Sequence, residues 1–293
     1  MVTVLTAGHV NWDVTLRVDT LPAPDGESTI RSQHQGGGGS AANVAVALSR
    51  LEVDAGVIGS VGDDDNGLLA RRDLERVGVD LSGVRVVEGA ETAMKYLLVD
   101  ADGEVAVLGN DGVNEAVRPE DVDPETVREA FHVHLTSQRP DTATRIAEIA
   151  DEAGIPISFD PGRQLGRREY GETLEHADVI FLNDREAEAI LEAEYPGSDF
   201  SDRIVVVKRG GDGAQIHAPE GSYVHPGFDV ESVDTTGAGD AFAAGFIATR
   251  LRGGDLERAL EYANACGALA ASEQGARTGP EAGEVREFLE GRF

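Results

Sequence analysis

Lysine is almost absent from these 293 residues: Lys95 and Lys208 are the only two, and with arginine they make 25 basic side chains against 54 acidic ones, a formal net charge of -29. The excess is spread along the chain and not gathered in a tail, so nucleic acid and anionic membrane are excluded as partners. Cysteine occurs once, at Cys266, which excludes an internal disulfide framework and a cysteine-based metal cluster. Its setting of small and apolar residues predicts a buried structural thiol. No stretch approaches the ~18 to 20 apolar residues needed to cross a bilayer, and no charged leader followed by an apolar run opens the chain, so the expected location is the cytoplasm. The pattern G-x-x-x-x-G-K-[ST] is missing too, which disfavours a P-loop nucleotide site.

The acidic balance carries its own expectation. A dense carboxylate shell with arginine in place of lysine resembles the surface of a halophilic protein, soluble while salt screens it and self-repelling in dilute buffer. Thermal melts are therefore expected to rise from low to molar KCl; a melting temperature unchanged across that range contradicts the expectation.

Short apolar, β-branched runs at 2–7, 55–60, 132–135, 155–159, 179–182 and 204–207 read as buried strands. They alternate with helical patterns at 43–51, 67–76, 142–153, 185–191 and 241–251. That alternation predicts a parallel sheet covered on both faces. Two stretches, 12–34 and 91–108, show period-two alternation instead, with Ala101-Asp102-Gly103 as a hairpin turn. They predict a small antiparallel sheet acting as a lid beside a core made of 1–11, 35–90 and 109–293. The segment from about 256 to 293 reads as two or three helices. His132 and His134 alternate along one strand without a third ligand, which reads as core or edge histidines and not as a metal site.

The most informative segment is Asp234-Thr235-Thr236-Gly237-Ala238-Gly239-Asp240 followed by Ala241-Phe242-Ala243-Ala244-Gly245. Gly237 and Gly239 permit a turn of converging N–H groups immediately before a helix. Such a helix N-terminus holds about half a positive charge and stabilises anions. Asp240 stands where a carboxylate reaches whatever the turn binds. Upstream, Gly36 to Gly39 precede Ser40-Ala41-Ala42-Asn43, again glycines before a helix. Asn11 and Asp13 follow the first strand, and an amide beside a carboxylate suits a vicinal diol.

Taken together these segments resemble the ribokinase (PfkB) family: the run from Asp234 to Asp240 matches its D-T-x-G-A-G-D signature without a break, and the likeness extends in order from Gly8 to Ala276. The resemblance implies a ribokinase-like three-layer α/β/α fold with a small β-sheet lid, and an ATP- and Mg²⁺-dependent kinase acting on a hydroxyl of a sugar or nucleoside. It implies Asp240 as general base, Gly237, Ala238 and Gly239 as the anion hole, and Asn11, Asp13, Gly38, Gly39 and Asn43 at the acceptor. Ser40 stands where ribokinases proper often carry lysine, which weakens ribose itself as acceptor. Asn183 and Glu186 match the N-x-x-E motif, with Glu186 holding Mg²⁺ through water. Lys208, Gly210 and Gly213 match the nucleotide turn, with Lys208 on an ATP phosphate, and Asn264 matches the adenine side. Asp234 and Thr236 belong to a loop that often binds a monovalent cation, K⁺ here. Arg163, in Asp160-Pro161-Gly162-Arg163, is expected on an anionic part of the substrate or on ATP. The family also implies a homodimer through the small sheet.

Two other classes are weighed against this reading. A dinucleotide-dependent oxidoreductase needs a buried strand before Gly36-x-Gly38-x-x-Ala41, and 28–35 is polar. A catalytically silent sugar-binding regulator has no use for Asp240. Which acceptor is used stays open between sugars, sugar acids and nucleosides.

Overall fold

All four residues of the first strand, Val4 to Ala7, are buried, which requires cover on both faces of the sheet they enter. The computed structural model describes residues 2–102, 104–192 and 200–291; Gly103 of the expected hairpin turn and residues 292–293 of the expected C-terminal helices lie outside the described residues. In chain order β1 (Val4–Ala7), β2 (Asn11–Val18) and β3 (Ile30–Gly38) lead into α1 (Ser40–Arg50), β4 (Ala55–Gly62), α2 (Asp65–Arg76), β5 (Val84–Val87), β6 (Met94–Val99) and β7 (Val105–Asn110). Then come α3 (Pro124–Arg128), β8 (His132–Thr136), α4 (Pro140–Glu152), β9 (Ile157–Asp160), α5 (Gly171–His176), β10 (Val179–Asn183), α6 (Asp184–Glu192) and β11 (Ile204–Lys208). The chain continues through β12 (Ala214–Ala218), β13 (Gly221–His225), α7 (Ala238–Leu251), α8 (Leu256–Ala271) and α9 (Ala282–Glu290).

Nine strands form the main sheet in the order β13-β12-β11-β10-β9-β8-β1-β4-β5, parallel from β5 to β11 with β12 and β13 as an antiparallel edge. Period two sorts its side chains. Val4 and Phe181 enter one apolar cluster with Leu48 of α1, Phe246 of α7 and Leu260 of α8. Their neighbours Leu5, Ile180 and Leu182 enter the other with Val127 of α3, Ile146 of α4 and Leu174 of α5. The result is the three-layer α/β/α architecture that the strand and helix alternation predicts.

The second sheet has the order β3-β2-β6-β7 and corrects one expectation. The pairs β2 with β3 and β6 with β7 are antiparallel, but β2 and β6 run parallel, with Trp12 opposite Met94 and Arg17 opposite Val99. The reason is the crossover between them: α1, β4, α2 and β5 intervene, and a connection of that length brings the chain back in the same direction. The polar segment before the glycine run is a strand after all, β3, but one exposed from Ile30 to Gln35, so the buried strand that a dinucleotide site requires is absent there.

His132 Nε2 and His134 Nδ1 each meet Ser158 Oγ at 2.8 Å. Burial pushes both imidazoles down to about 3, so they are neutral core groups. Cys266 is fully buried, where burial pushes its thiol up; a Cβ on Gly245 would lie 2.7 Å from its Sγ, so these two residues set how closely α7 and α8 approach.

Candidate active site

The C-terminal ends of parallel strands are where α/β sheets bind ligands, at the point where strand order reverses. Here β1 is that point: β4 and β5 lie to one side of it and β8 to β11 to the other. The start of β2, the ends of β3, β9, β10 and β11 and the N-termini of α1, α6 and α7 carry most of the residues singled out from the sequence, and Asn264 lies apart within α8.

Gly237 is the cap of α7, at φ 79° and ψ -6°, and a Cβ there would lie 2.0 Å from the Ala276 carbonyl oxygen. Intrahelical bonding begins with Ala241 N–H donating to Gly237 O at 2.9 Å. The N–H groups of Gly239 and Asp240 therefore have no acceptor within the helix. Ala238, expected in the same hole, spends its N–H on Thr235 O at 3.2 Å, so the open donors sit one residue further along than the motif suggests.

Asp240 faces Asn43, whose Nδ2 donates to its Oδ2 at 2.8 Å. Burial lifts the carboxyl to about 6; Asn43 and Ser40 hydrogen bonds and the Lys208 charge pull the other way, and Asp160 adds to the rise. Such a group is ionised at neutral pH yet basic enough to accept a hydroxyl proton. Asn43, expected at the acceptor, is 7% exposed and committed between Asp240 and Arg277.

Lys208 Nζ donates to Asp160 Oδ2 at 2.5 Å and lies where a Cβ on Gly239 would be 3.5 Å away. Burial works against its charge, but Asp160 above all, then Asp240 and Glu186, hold its pKa above the ordinary value. The ammonium thus stands between the open end of α7 and a cavity of about 770 Å³ lined by Arg163, Arg185, Arg209, Asn183, Glu186 and Gly210 among others. In so acidic a chain, four cationic side chains around one cavity suit a polyphosphate. Arg163 lines this cavity and not the one beside Asp13.

Asn183 and Glu186 form a reciprocal cap at the start of α6, Glu186 Oε2 accepting from Asn183 N and Asn183 Oδ1 from Glu186 N, both at 2.9 Å. Burial raises the Glu186 carboxyl. Gly210 and Gly213, at φ 56° and 82°, turn the chain after β11, with Arg209 N–H on Gly213 O at 2.8 Å. Asn264 turns its Nδ2 back on Leu260 O at 2.7 Å, one helical turn earlier, which commits one of its two N–H donors inside α8.

On the acceptor side Asn11 is fully buried, its Oδ1 taking Asn114 Nδ2 at 2.7 Å, while its own Nδ2 has no protein partner. Asp13 Oδ1 is buried and unpartnered as well. Burial lifts this carboxyl to about 6, opposed by Lys95 and Arg277. A Cβ on Gly38 would lie 2.0 Å from Asp13 Oδ2, which is why that position tolerates only glycine. One free donor and one free acceptor side by side complement sugar hydroxyls. Beside Asp13 lies a cavity of about 200 Å³ whose lining includes Thr15, His34, Arg76, Thr236 and Arg277, and no Phe, Tyr or Trp.

Asp234 Oδ1 accepts from Thr236 N at 2.9 Å and Oδ2 from Gly275 N at 3.2 Å, tying the loop before α7 to the loop after α8. Asp160, Asn114 and Arg277 were not singled out from the sequence. Asp160 opens the Asp160-Pro161-Gly162-Arg163 segment but carries no signal of its pairing with Lys208; Asn114 and Arg277 sit in loops without pattern.

A family model described as "pfkB family carbohydrate kinase" matches residues 1–282. The chain is 72% identical over 295 residues to an ATP-dependent ribose-1-phosphate kinase of Halopiger xanaduensis, covering 100% of both chains. Among solved structures it is similar to Arabidopsis thaliana ribokinase complexed with ribose and ATP (25% identity, 99% of each chain, TM-score 0.87). It is also similar to a putative ribokinase II from E. coli in complex with ATP and Mg²⁺ (26% identity, 99% of each chain, TM-score 0.85).

Proposed function

The chain belongs to the pfkB family of carbohydrate kinases and is an ATP-dependent phosphotransferase acting on a sugar hydroxyl, and from that premise we propose that its acceptor is ribose 1-phosphate, phosphorylated on the primary hydroxyl with Asp240 as general base. The observation that carries the reading is the meeting of Asp240, the open N–H groups of α7 and the Lys208 ammonium. Asp13 and Asn11 take the vicinal 2- and 3-hydroxyls, which leaves the primary hydroxyl for Asp240. That carboxylate removes its proton as the oxygen attacks the terminal phosphorus of ATP in line, the bond from that phosphorus to the bridging oxygen breaks and ADP leaves, and the α7 donors and Lys208 stabilise the charge in transfer. Small, polar walls beside Asp13, without an aromatic side chain for a base to stack on, favour a sugar phosphate over a nucleoside.

ATP lies in the cavity of Lys208, Arg163 and Gly210. The buried carboxylate of Glu186, close enough to Lys208 for the two charges to interact, fits Mg²⁺ held through water; when bound, that ion neutralises phosphate charge. The loops joined through Asp234 and Thr236 are the place for K⁺. The small sheet serves as a lid. It also joins two copies of the chain: Ile30, Val105, Val107 and Leu108 on it are 53%, 54%, 47% and 62% exposed, apolar side chains spread over both faces of the sheet and open to a partner. Among the described residues no helix is long and apolar enough to cross a membrane, in keeping with work in the cytoplasm.

The test is ADP release in molar KCl with ATP and Mg²⁺ across ribose 1-phosphate, ribose, fructose and inosine. Ribose 1-phosphate is expected to give the highest kcat/KM; a preference for inosine overturns the assignment. Lys208→Ala is expected to raise KM for ATP by about 10- to 100-fold, the effect of losing a hydrogen bond to a charged group. An unchanged ATP affinity removes Lys208 from the nucleotide site.

A further inference from the structure

Arg277 lies in the loop between α8 and α9 with a side chain only 7% exposed. Its Nη1 donates to Asp73 Oδ2 at 2.7 Å, its Nη2 to Gly38 O at 3.0 Å and its Nε to Asn43 Oδ1 at 3.4 Å. The guanidinium occupies the space a Cβ on Gly37 would need, with Nη1 1.9 Å from that position. One buried cation thus ties the C-terminal loop, which also abuts Gly237 through Ala276, to α2, to the end of β3 and to the first turn of α1. Burying a charge is costly, and the ion pair with Asp73 and the bonds to Gly38 O and Asn43 Oδ1 offset part of that cost.

What the contacts fix is the Asn43 amide. Guanidinium only donates, so it selects the carbonyl end of that amide and turns the NH₂ end the other way. The other way lies Asp240 Oδ2, 2.8 Å from Nδ2. Resting on the reading of Asp240 as the base, we propose that Arg277 is a positioning residue for phosphoryl transfer: it locks the Asn43 amide so that the base keeps one aligned donor and one fixed direction. Arg277 touches neither reacting group in this scheme; it reaches the base through Asn43, and its charge also acts on the Asp13 carboxyl.

The groups facing Asp240 are Asn43 and Ser40 from α1, Lys208 from β11 and Asp160 from β9. Of these only Asn43 is held by Arg277. Removing the lock frees the amide to rotate, and a carboxylate that loses a donor becomes a stronger base. The acidic limb of kcat against pH therefore moves to higher pH in the variant.

The experiment compares kcat–pH profiles of wild type, Arg277→Met, Asn43→Ala and the double variant in molar KCl, with Asp13→Asn as a control that identifies which limb belongs to Asp240. Arg277→Met is expected to lower kcat by about 10- to 100-fold, as for loss of a hydrogen bond to a charged group, with KM for ATP changed less than about threefold. Its acidic limb moves up, and millimolar guanidinium restores part of the rate. The double variant should be no slower than Asn43→Ala alone, because both act along one chain of contacts. Asp73→Asn, which leaves the guanidinium in place but loosens it, serves if Arg277→Met fails to fold, and should move the same limb less far. A fall in kcat with the limb unmoved and no rescue, or fully additive losses in the double variant, overturns the proposal. Activity persisting in Asp240→Asn would instead overturn the assignment of the base itself.

Discussion

Asp240→Asn is expected to lower turnover by about 10²- to 10⁴-fold, the range a positioned general base supplies, with binding of ATP and acceptor little changed. The substitution keeps the shape of the side chain and its contact with Asn43, so the loss is chemical. Wild-type turnover should rise with pH through about 6, where the buried carboxyl ionises, whereas the residual rate of the variant should lack that limb. The stability sign is the reverse of the usual salt-bridged carboxylate. Burial raises the folded-state value from 3.8 to about 6, so the folded form binds the proton more tightly and loses stability as pH rises through that interval. At pH 7 the wild type carries an unfavourable buried charge that the asparagine lacks. The variant should therefore melt at or above the wild-type temperature, which separates a lost base from a lost fold.

Gly237→Ala is the second large effect, with an expected fall in kcat of about 10²- to 10³-fold, the usual consequence of displacing a backbone donor aimed at developing charge. Two independent costs fall on this one position. Its φ of 79° lies in the left-handed region, which disfavours any side chain by about 1–2 kcal/mol. The added methyl would also lie 2.0 Å from Ala276 O. The loop before α7 must then move away from the loop after α8, and the Gly239 and Asp240 N–H groups move with it. The damage should fall on kcat, while KM for the acceptor, held by Asn11 and Asp13, changes little. Wild-type turnover in Gly237→Ala would mean that the α7 terminus does not stabilise the transferred group.

Much of this was legible in the residues themselves. Apolar runs such as 179–182 and 204–207 announce a covered parallel sheet because no exposed strand tolerates them. The unbroken segment from Asp234 to Asp240 announces an anion-holding turn because glycine is needed at Gly237 for a conformation side chains avoid. The parallel pairing of β2 with β6 was not legible, since period-two alternation reports which face is buried and says nothing about strand direction. Nor were the partners of the site. Asp160 is 48 positions from Lys208 and Arg277 is 234 from Asn43, and only the fold brings such pairs together. Asn43 and Asn264 illustrate the converse. Each matches a motif position expected at a ligand, and each also makes a bond within the protein, Asn43 Nδ2 to Asp240 and Asn264 Nδ2 to Leu260 O, that no motif announces.

The most direct test of the central claim is ³¹P NMR of ATP, Mg²⁺ and ribose 1-phosphate with the protein in molar KCl. Transfer by Asp240 to a sugar hydroxyl predicts that the γ-phosphate signal is replaced, one for one, by a new phosphomonoester on a molecule that keeps its original phosphate. Inorganic phosphate appearing in its place, or no loss of the γ signal in folded protein, would contradict it.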